Sequence, residues 1–377
     1  MLRSLEDTII RKARLEDYTK AQDNPARSQS EVLESLLEAY EETEAWSEKA
    51  GEVRDLESYR LKFKVLRYKE YKSILRNILQ GRWNAGLDSA PSYYAASSGT
   101  RGPPKLIPVT PRDLSDRIVV SARALALYGL STSFEYLAGY VLSLHPPSIQ
   151  GLAGKAESKA PYGHISGMHA RLITPALGLK QTPIPEHVDR LGTKIGRKWW
   201  VKLYNMALEE PAGRGVSFTV SSPIPLYMLA RYVERRVNKR VSSLFDFRVI
   251  FLSGVPDIHM VYKPFLKHYW RKADVVELYG ACEGALGVQE WPTPGLKPMY
   301  DVYLYEVKAG GKVKPLFMLE RGQHGSLIVS TSVLPRYEIG DIIVSLGKGR
   351  FRVLGRNTLQ GRLKAFIPYK ILSYLAP

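Results

Sequence analysis

Apolar positions recur every three to four residues through most of residues 1–85, the period of helix faces that pack against something larger. In SEVLESLLEAYEETEAW, Leu33, Leu36, Leu37 and Tyr40 share one face while acids fill much of the other, which predicts an amphipathic helix. Ser28 with Glu31 three residues on fits a capping box at its start, and Ser30 is a second N-cap candidate. The run KVLRYKEYKSILRNILQGRW repeats the period through Val65, Tyr68, Tyr71, Leu75, Ile78 and Leu79, and Gly81 is placed to end it. From about residue 86 the pattern changes. YLAGYVLSLHP, GVSFTVSSP and FRVIFLSG are short apolar runs bounded by turn residues, the signature of buried strands. IPLYMLARYVERRV and HMVYKPFLKHYWRKA return to helical spacing after two of them, so the order strand, turn, helix predicts an α/β core. Toward the C-terminus YDVYLYEV, GSLIVSTSV, DIIVSLG and FRVLG read as short strands with Gly-rich turns, expected to form a small β module.

Composition narrows the class. The 377 residues are 45% hydrophobic and 24% charged, an ordinary globular balance, and suffice for one large unit or two to three smaller ones. No apolar run approaches the roughly 20 residues that span a bilayer, and the N-terminus MLRSLEDTIIRKARLEDY has no apolar signal core. The single cysteine, Cys282, excludes an internal disulfide framework and fits a reducing cytoplasm. A net charge of +17 favours polyanions such as nucleotides, nucleic acid or lipid headgroups, and equally describes a solvated basic surface with short clusters such as RRVNKR. Few Asn and Gln beside many Tyr, Arg, Lys and Glu is a composition of thermophile type.

One stretch builds no core: YYAASSGTRGPPKLIPVT, residues 93–110. Ser97, Ser98, Gly99, Thr100, Arg101, Gly102 and Lys105 combine converging backbone amides, hydroxyl donors and a point charge, which suits a polyphosphate. Two prolines before the lysine and a leucine after it exclude a P-loop, and a Gly-Pro-Pro surface turn accounts for the composition as well. SSGTRGPPK is similar to the phosphate-loop signature of the adenylate-forming superfamily, and its continuation PKLIPVT resembles that of the plant auxin-conjugating acyl acid amido synthetases. Further signatures follow in order. VIFLSGVPD resembles the strand and turn beside the adenine, with Ser253, Gly254, Val255 and Pro256 in the turn. VVELYGACEG resembles Y-G-x-[TS]-E, YEIGDIIV resembles [YR]-x-[TV]-G-D, and RVLGRN resembles the F-x-G-R hinge.

The resemblance implies an α/β fold: a large N-terminal adenylation-type domain of layered mixed sheets with a small C-terminal β module and a helical N-terminal extension. It divides the chain into a helical segment 1–85, an ATP-binding core 86–355, and a hinge with short tail 356–377 where relatives carry a mobile C-terminal domain. Ser97, Ser98, Gly99, Thr100, Gly102 and Lys105 would hold phosphates, with Lys105, Thr100 and position 282 nearest the chemistry. Gly254, Val255, Pro256, Tyr279 and Gly280 would face adenine, Asp341 would accept from both ribose hydroxyls, Arg356 would serve ribose or hinge, and Glu283 would hold Mg²⁺. The implied activity is ATP-dependent activation of a carboxylic acid as acyl-adenylate, followed by transfer to an amine such as an amino acid, or to coenzyme A. ATP and Mg²⁺ are the implied cofactors, and a separate lid subunit is one implied partner.

Departures from the pattern leave alternatives open. Cys282 stands where a hydroxyl is usual, and a thiol is a weaker donor. Arg101 replaces a small hydroxyl residue. Lys364 and Lys370 lie too near the hinge to stand for the lysine that many relatives carry in their last domain. A catalytically weakened ATP- and acyl-binding protein and a basic nucleic-acid-associated protein are the two other readings. His145 and His164 are candidates for an acyl pocket or its entrance. The segment from Val216 to Leu229, which has no charge, suits an apolar pocket wall or a plain core.

Overall fold

The computed structural model describes residues 2–97, 104–210 and 215–358. Helices Leu2–Ala13, Leu15–Asp23 and Pro25–Glu41 open the chain. The third begins earlier than its serines suggest. Asn24 caps it, accepting from the Arg27 amide at 3.2 Å, and Pro25 supplies the preset φ of a first helical residue. Ser28 is therefore buried inside the helix, and Ser30 donates back to the Ala26 carbonyl. Leu33, Leu36 and Tyr40 do form one buried face, packed with Trp46, Tyr59, Phe63 and Leu304.

Helix Tyr68–Leu79 starts three residues after Val65 because the preceding backbone is drawn into a sheet edge. The Leu66 amide donates to the Arg336 carbonyl at 2.9 Å and its carbonyl accepts from Glu338 at 2.8 Å. Tertiary pairing here overrides helical period. Gly81 follows the helix at φ +108°, a conformation open to glycine.

Two sheets organise the rest. A four-stranded sheet has the order 106–109, 93–96, 160–164, 151–153, with Tyr93–Ala96 parallel to Ala160–His164. The other has twelve strands among the described residues. Its parallel half runs 180–182, 140–142, 216–221, 249–252, 274–281. Strand Asp274–Ala281 then pairs antiparallel with Gly284–Gln289, and the C-terminal strands 334–347 and 350–356 continue the same sheet. The small C-terminal β module is thus continuous with the α/β core, joined to it through strand Asp274–Ala281.

Helix Pro111–Ser131 packs on helix Leu2–Ala13 and on strand Gly284–Gln289. It starts at Thr110, whose hydroxyl accepts from the Asp113 amide, directly after the strand that leaves the loop near residue 100. No helix among the described residues is long and apolar enough to cross a membrane. The carboxyl ends of parallel strands, where open α/β sheets place ligands, therefore gather Leu252 and Ala281 with the turns that follow them.

Candidate functional site

Strands Asp274–Ala281 and Gly284–Gln289 form a hairpin, with Ala281 opposite Gly284 and Cys282 and Glu283 as its two-residue tip. The tip is held from behind. Arg117, buried on helix Pro111–Ser131, donates to the Cys282 carbonyl at 2.7 Å and the Ala281 carbonyl at 3.3 Å. Its Nε donates to Asp113 at 2.7 Å, and Asp113 is fully buried. Guanidinium geometry suits this task, because several donors leave one plane in fixed directions. Glu283 is 5% exposed. Burial raises its carboxyl above the usual range, opposed by its own backbone amide and by the charges of Lys105 and Arg356.

A second hairpin faces the first. Strands Leu334–Gly347 and Arg350–Arg356 place Asp341 directly opposite Arg356. Arg356 Nε lies 3.2 Å from one oxygen of Asp341, and the Tyr279 hydroxyl donates to the other at 2.7 Å. Burial raises the Asp341 carboxyl; Arg356, Tyr279 and Lys105 pull it down. Each carboxylate oxygen keeps a second lone pair, so Asp341 can still accept from a ligand. Gly340, inside strand Leu334–Gly347 and at φ +88°, sits where the pairing with strand His324–Thr331 slips register just before Asp341, and its carbonyl accepts from the Asn357 amide. Tyr279 is 9% exposed, its ring edge-on to Phe351 at 6.1 Å. As placed, its hydroxyl's partner is Asp341.

Ser253, Gly254, Val255 and Pro256 follow strand Val249–Leu252 on the same edge. Gly254 adopts φ +87° and is exposed. A Cβ at Gly355 would come within 3.9 Å of Pro256 Cγ, and one at Gly280 within 3.8 Å of Ser253 Oγ. The turn therefore sits against both hairpins.

Ser97 and Lys105 close the mouth of the loop. The Ser97 amide donates to the Lys105 carbonyl at 3.0 Å, and the Lys105 amide donates to Ser97 Oγ at 2.9 Å. Lys105 Nζ lies 5.3 Å from the centre of the Tyr68 ring. Its charge reaches Cys282, Glu283 and Asp341. Ser98, Gly99, Thr100, Arg101 and Gly102 lie outside the described residues, as do Lys364 and Lys370. Cys282 is buried, which pushes its thiol up to about 12, so it is a neutral, poor donor at this tip.

The histidines separate. His164 pairs in register with Ala96, one residue before Ser97, and so borders the loop. His145 is buried, with Nδ1 on the Pro146 carbonyl and Nε2 unpartnered. Burial lowers the pKa of both. From Val216 to Leu229 the chain is a strand followed by a helix; Leu226 and Leu229 are buried while Ile224 and Met228 are exposed.

The gathered elements are a basic loop edge, a buried carboxylate at a hairpin tip and a second carboxylate between a tyrosine and an arginine. Residues 14–187 match the family model described as GH3 family N-terminal domain. The chain has the fold of the adenylate-forming enzymes. It superposes on the acyl acid amido synthetase AtGH3.15 in complex with 2,4-DB with TM-score 0.72 and 18% identity, covering 91% of this chain and 69% of that one. It is similar also to a 2-hydroxyisobutyryl-CoA ligase in an open conformation with 2-HIB-AMP and CoA, at TM-score 0.60 and 15% identity, covering 86% and 73%. No curated protein matches by sequence.

Asp113 and Arg117 escape a reading of the sequence. An acid four residues before an arginine on a helix reads as an exposed ion pair. The available signal is their position on the helix that directly follows the loop.

Proposed function

We propose that this chain activates a carboxylic acid with ATP, forming an acyl-adenylate and releasing pyrophosphate. One observation carries the reading: Lys105, Glu283 and Asp341, more than 200 residues apart from first to last, come close enough for the charge of Lys105 to act on both buried carboxyls. That arrangement supports a nucleotide with its ribose at Asp341 and Arg356 and its phosphates toward Ser97 and Lys105.

The reaction asks little covalent chemistry of the protein. The substrate carboxylate attacks the α-phosphorus, a new O–P bond forms, and the bond to the pyrophosphate oxygen breaks. Two anions must be held together against repulsion while charge grows on phosphate oxygens. Lys105 would offset that charge from the loop edge. Arg117 fixes the hairpin carbonyls, which sets where Glu283 points. Among the described residues no three His, Cys, Asp or Glu side chains group as a metal cage. A single buried carboxylate instead fits a cation that arrives on a triphosphate, since Mg²⁺ is commonly held by one or two carboxylates plus phosphates. Bound there beside Glu283, Mg²⁺ would supply charge neutralisation of the phosphate oxygens.

The finer part of the proposal is transfer of the acyl group to an amine or to coenzyme A, as the names of the similar structures suggest. Incorporation of labelled pyrophosphate into ATP, dependent on an added carboxylic acid, tests the first half-reaction, and net amide or thioester formation tests the second. Acid-independent exchange, or none with a broad panel of acids, would overturn the reading. A second reading, nucleotide binding with little turnover, draws on the buried neutral thiol of Cys282 where a hydroxyl donor would serve better. Cys282→Ser separates the two: turnover rises in a working site, and an inert site stays inert.

A further inference from the structure

Helix Leu2–Ala13 and helix Pro111–Ser131 enclose a cleft of about 350 Å³ away from the loop and the two hairpins. Three cations line it, Arg11, Lys12 and Arg14, and no acid does. Two hydroxyls, Ser92 and Ser115, stand among them, and Leu114 and Ile118 form an apolar floor. Ser92 immediately precedes strand Tyr93–Ala96, whose other end leads to Ser97, so the cleft lies roughly 13 Å of strand away from the loop edge.

Two further observations set it apart from an ordinary basic surface. Arg14 sits in the left-handed region at φ 47° and ψ 54°, an unfavourable conformation for a side chain of its size. Buried Arg123 holds that backbone in place: it donates to the Ala13 carbonyl at 2.7 Å and to the Arg14 carbonyl at 3.4 Å, and is itself paired to Asp301 at 2.5 Å. The strained junction aims a cation into the cleft. Arg14 also borders an adjoining cleft whose acids are Asp17, Glu31, Asp116 and Asp301, of which Asp301 is paired to Arg123 and Glu31 to Arg27. Arg11 and Lys12 complement the C-terminal dipole of their helix, which accounts for their place on it. The dipole accounts neither for the apolar floor nor for the strain at Arg14.

We propose that this cleft binds an amphipathic anion, a carboxylate or phosphate carried on an apolar body, with the head on Arg11, Lys12 and Arg14 and the body on Leu114 and Ile118. Its volume lies within the range of small-molecule sites. The site is independent of acyl-adenylate formation and stands whether or not the chain turns over ATP.

Calorimetric titration of the purified chain with octanoate, octyl phosphate, inorganic phosphate and octanol tests it. Both amphiphiles should bind, their ratio reporting which head is preferred, while phosphate alone and octanol alone bind at least about tenfold more weakly. Arg14→Gly removes the cation where a left-handed backbone suits glycine, so folding is spared while amphiphile affinity falls about tenfold. Ser115→Glu places a negative charge on the exposed wall and should weaken binding at least as much. Failure of both amphiphiles to bind, affinity unchanged in both variants, or inorganic phosphate binding as tightly as octyl phosphate would each overturn the proposal.

Discussion

The hairpin tip that carries Glu283 gives the sharpest test of how stability and activity divide in this site. Arg117 makes one buried ion pair to Asp113 and two bonds to backbone carbonyls, at Cys282 and Ala281. Arg117→Met alone strands the Asp113 carboxylate with no water and no partner, at a cost of about 3–5 kcal/mol in unfolding free energy. Asp113→Leu with Arg117→Met replaces the pair by apolar groups of similar size, and stability should return to within about 1 kcal/mol of the original. The carbonyl bonds do not return. Each is a charge-assisted bond of about 1.5–3 kcal/mol, the longer one at 3.3 Å counting least. A hairpin tip released by a comparable amount should lose about 10–100-fold in acid-dependent pyrophosphate exchange. Denaturant unfolding reads the first quantity, exchange kinetics the second, and amide hydrogen exchange at residues 280–284 reports the tip itself. Full recovery of activity in the stable double variant would refute the argument, because the pair would then serve folding alone.

Other tests are independent of this one. Asp341→Ala should weaken AMP binding by at least tenfold, since it also frees the Tyr279 hydroxyl and Arg356; calorimetry measures this. Glu283→Gln should raise the melting temperature of the nucleotide-free chain at pH 8 and abolish the Mg²⁺ dependence of exchange. Its sign follows from burial: a carboxyl raised in the folded state favours unfolding as pH rises above its unfolded value. Glu277, pushed up from 4.5 to about 7 by burial against the opposing charge of Arg352, should show the same effect. Glu277→Gln should leave stability unchanged near pH 4 and raise it from about pH 7 upward, as thermal scans at both ends will show. Cys282, its thiol pushed up to about 12, should resist alkylation at pH 8 in the folded chain and react readily in denaturant.

What the sequence revealed follows from how local each feature is. Lys105, the Gly340–Asp341 pair and Arg356 each sit in a short motif whose chemistry is carried by adjacent residues. Arg117 meets its carbonyl partners 164 and 165 positions away, and Arg123 meets Asp301 178 away. Such pairs leave no periodic trace. A serine with a glutamate three residues on is a strong local signal that places the start of helix Pro25–Glu41 at Ser28. Asn24 followed by Pro25 is a stronger one, and it buries Ser28 instead. The C-terminal strands read as a small β module from their own patterns, but nothing local shows that Asp274–Ala281 joins the parallel and antiparallel halves of one sheet. The bond from the Tyr279 hydroxyl to Asp341, 62 positions away, leaves no local trace either.

A structure of the chain soaked with AMP tests the central claim most directly. The account places the ribose hydroxyls within hydrogen-bond reach of Asp341 and the phosphate toward Lys105 and Glu283. Nucleotide bound elsewhere, or a ribose turned away from Asp341 with its phosphate distant from Lys105, would contradict it.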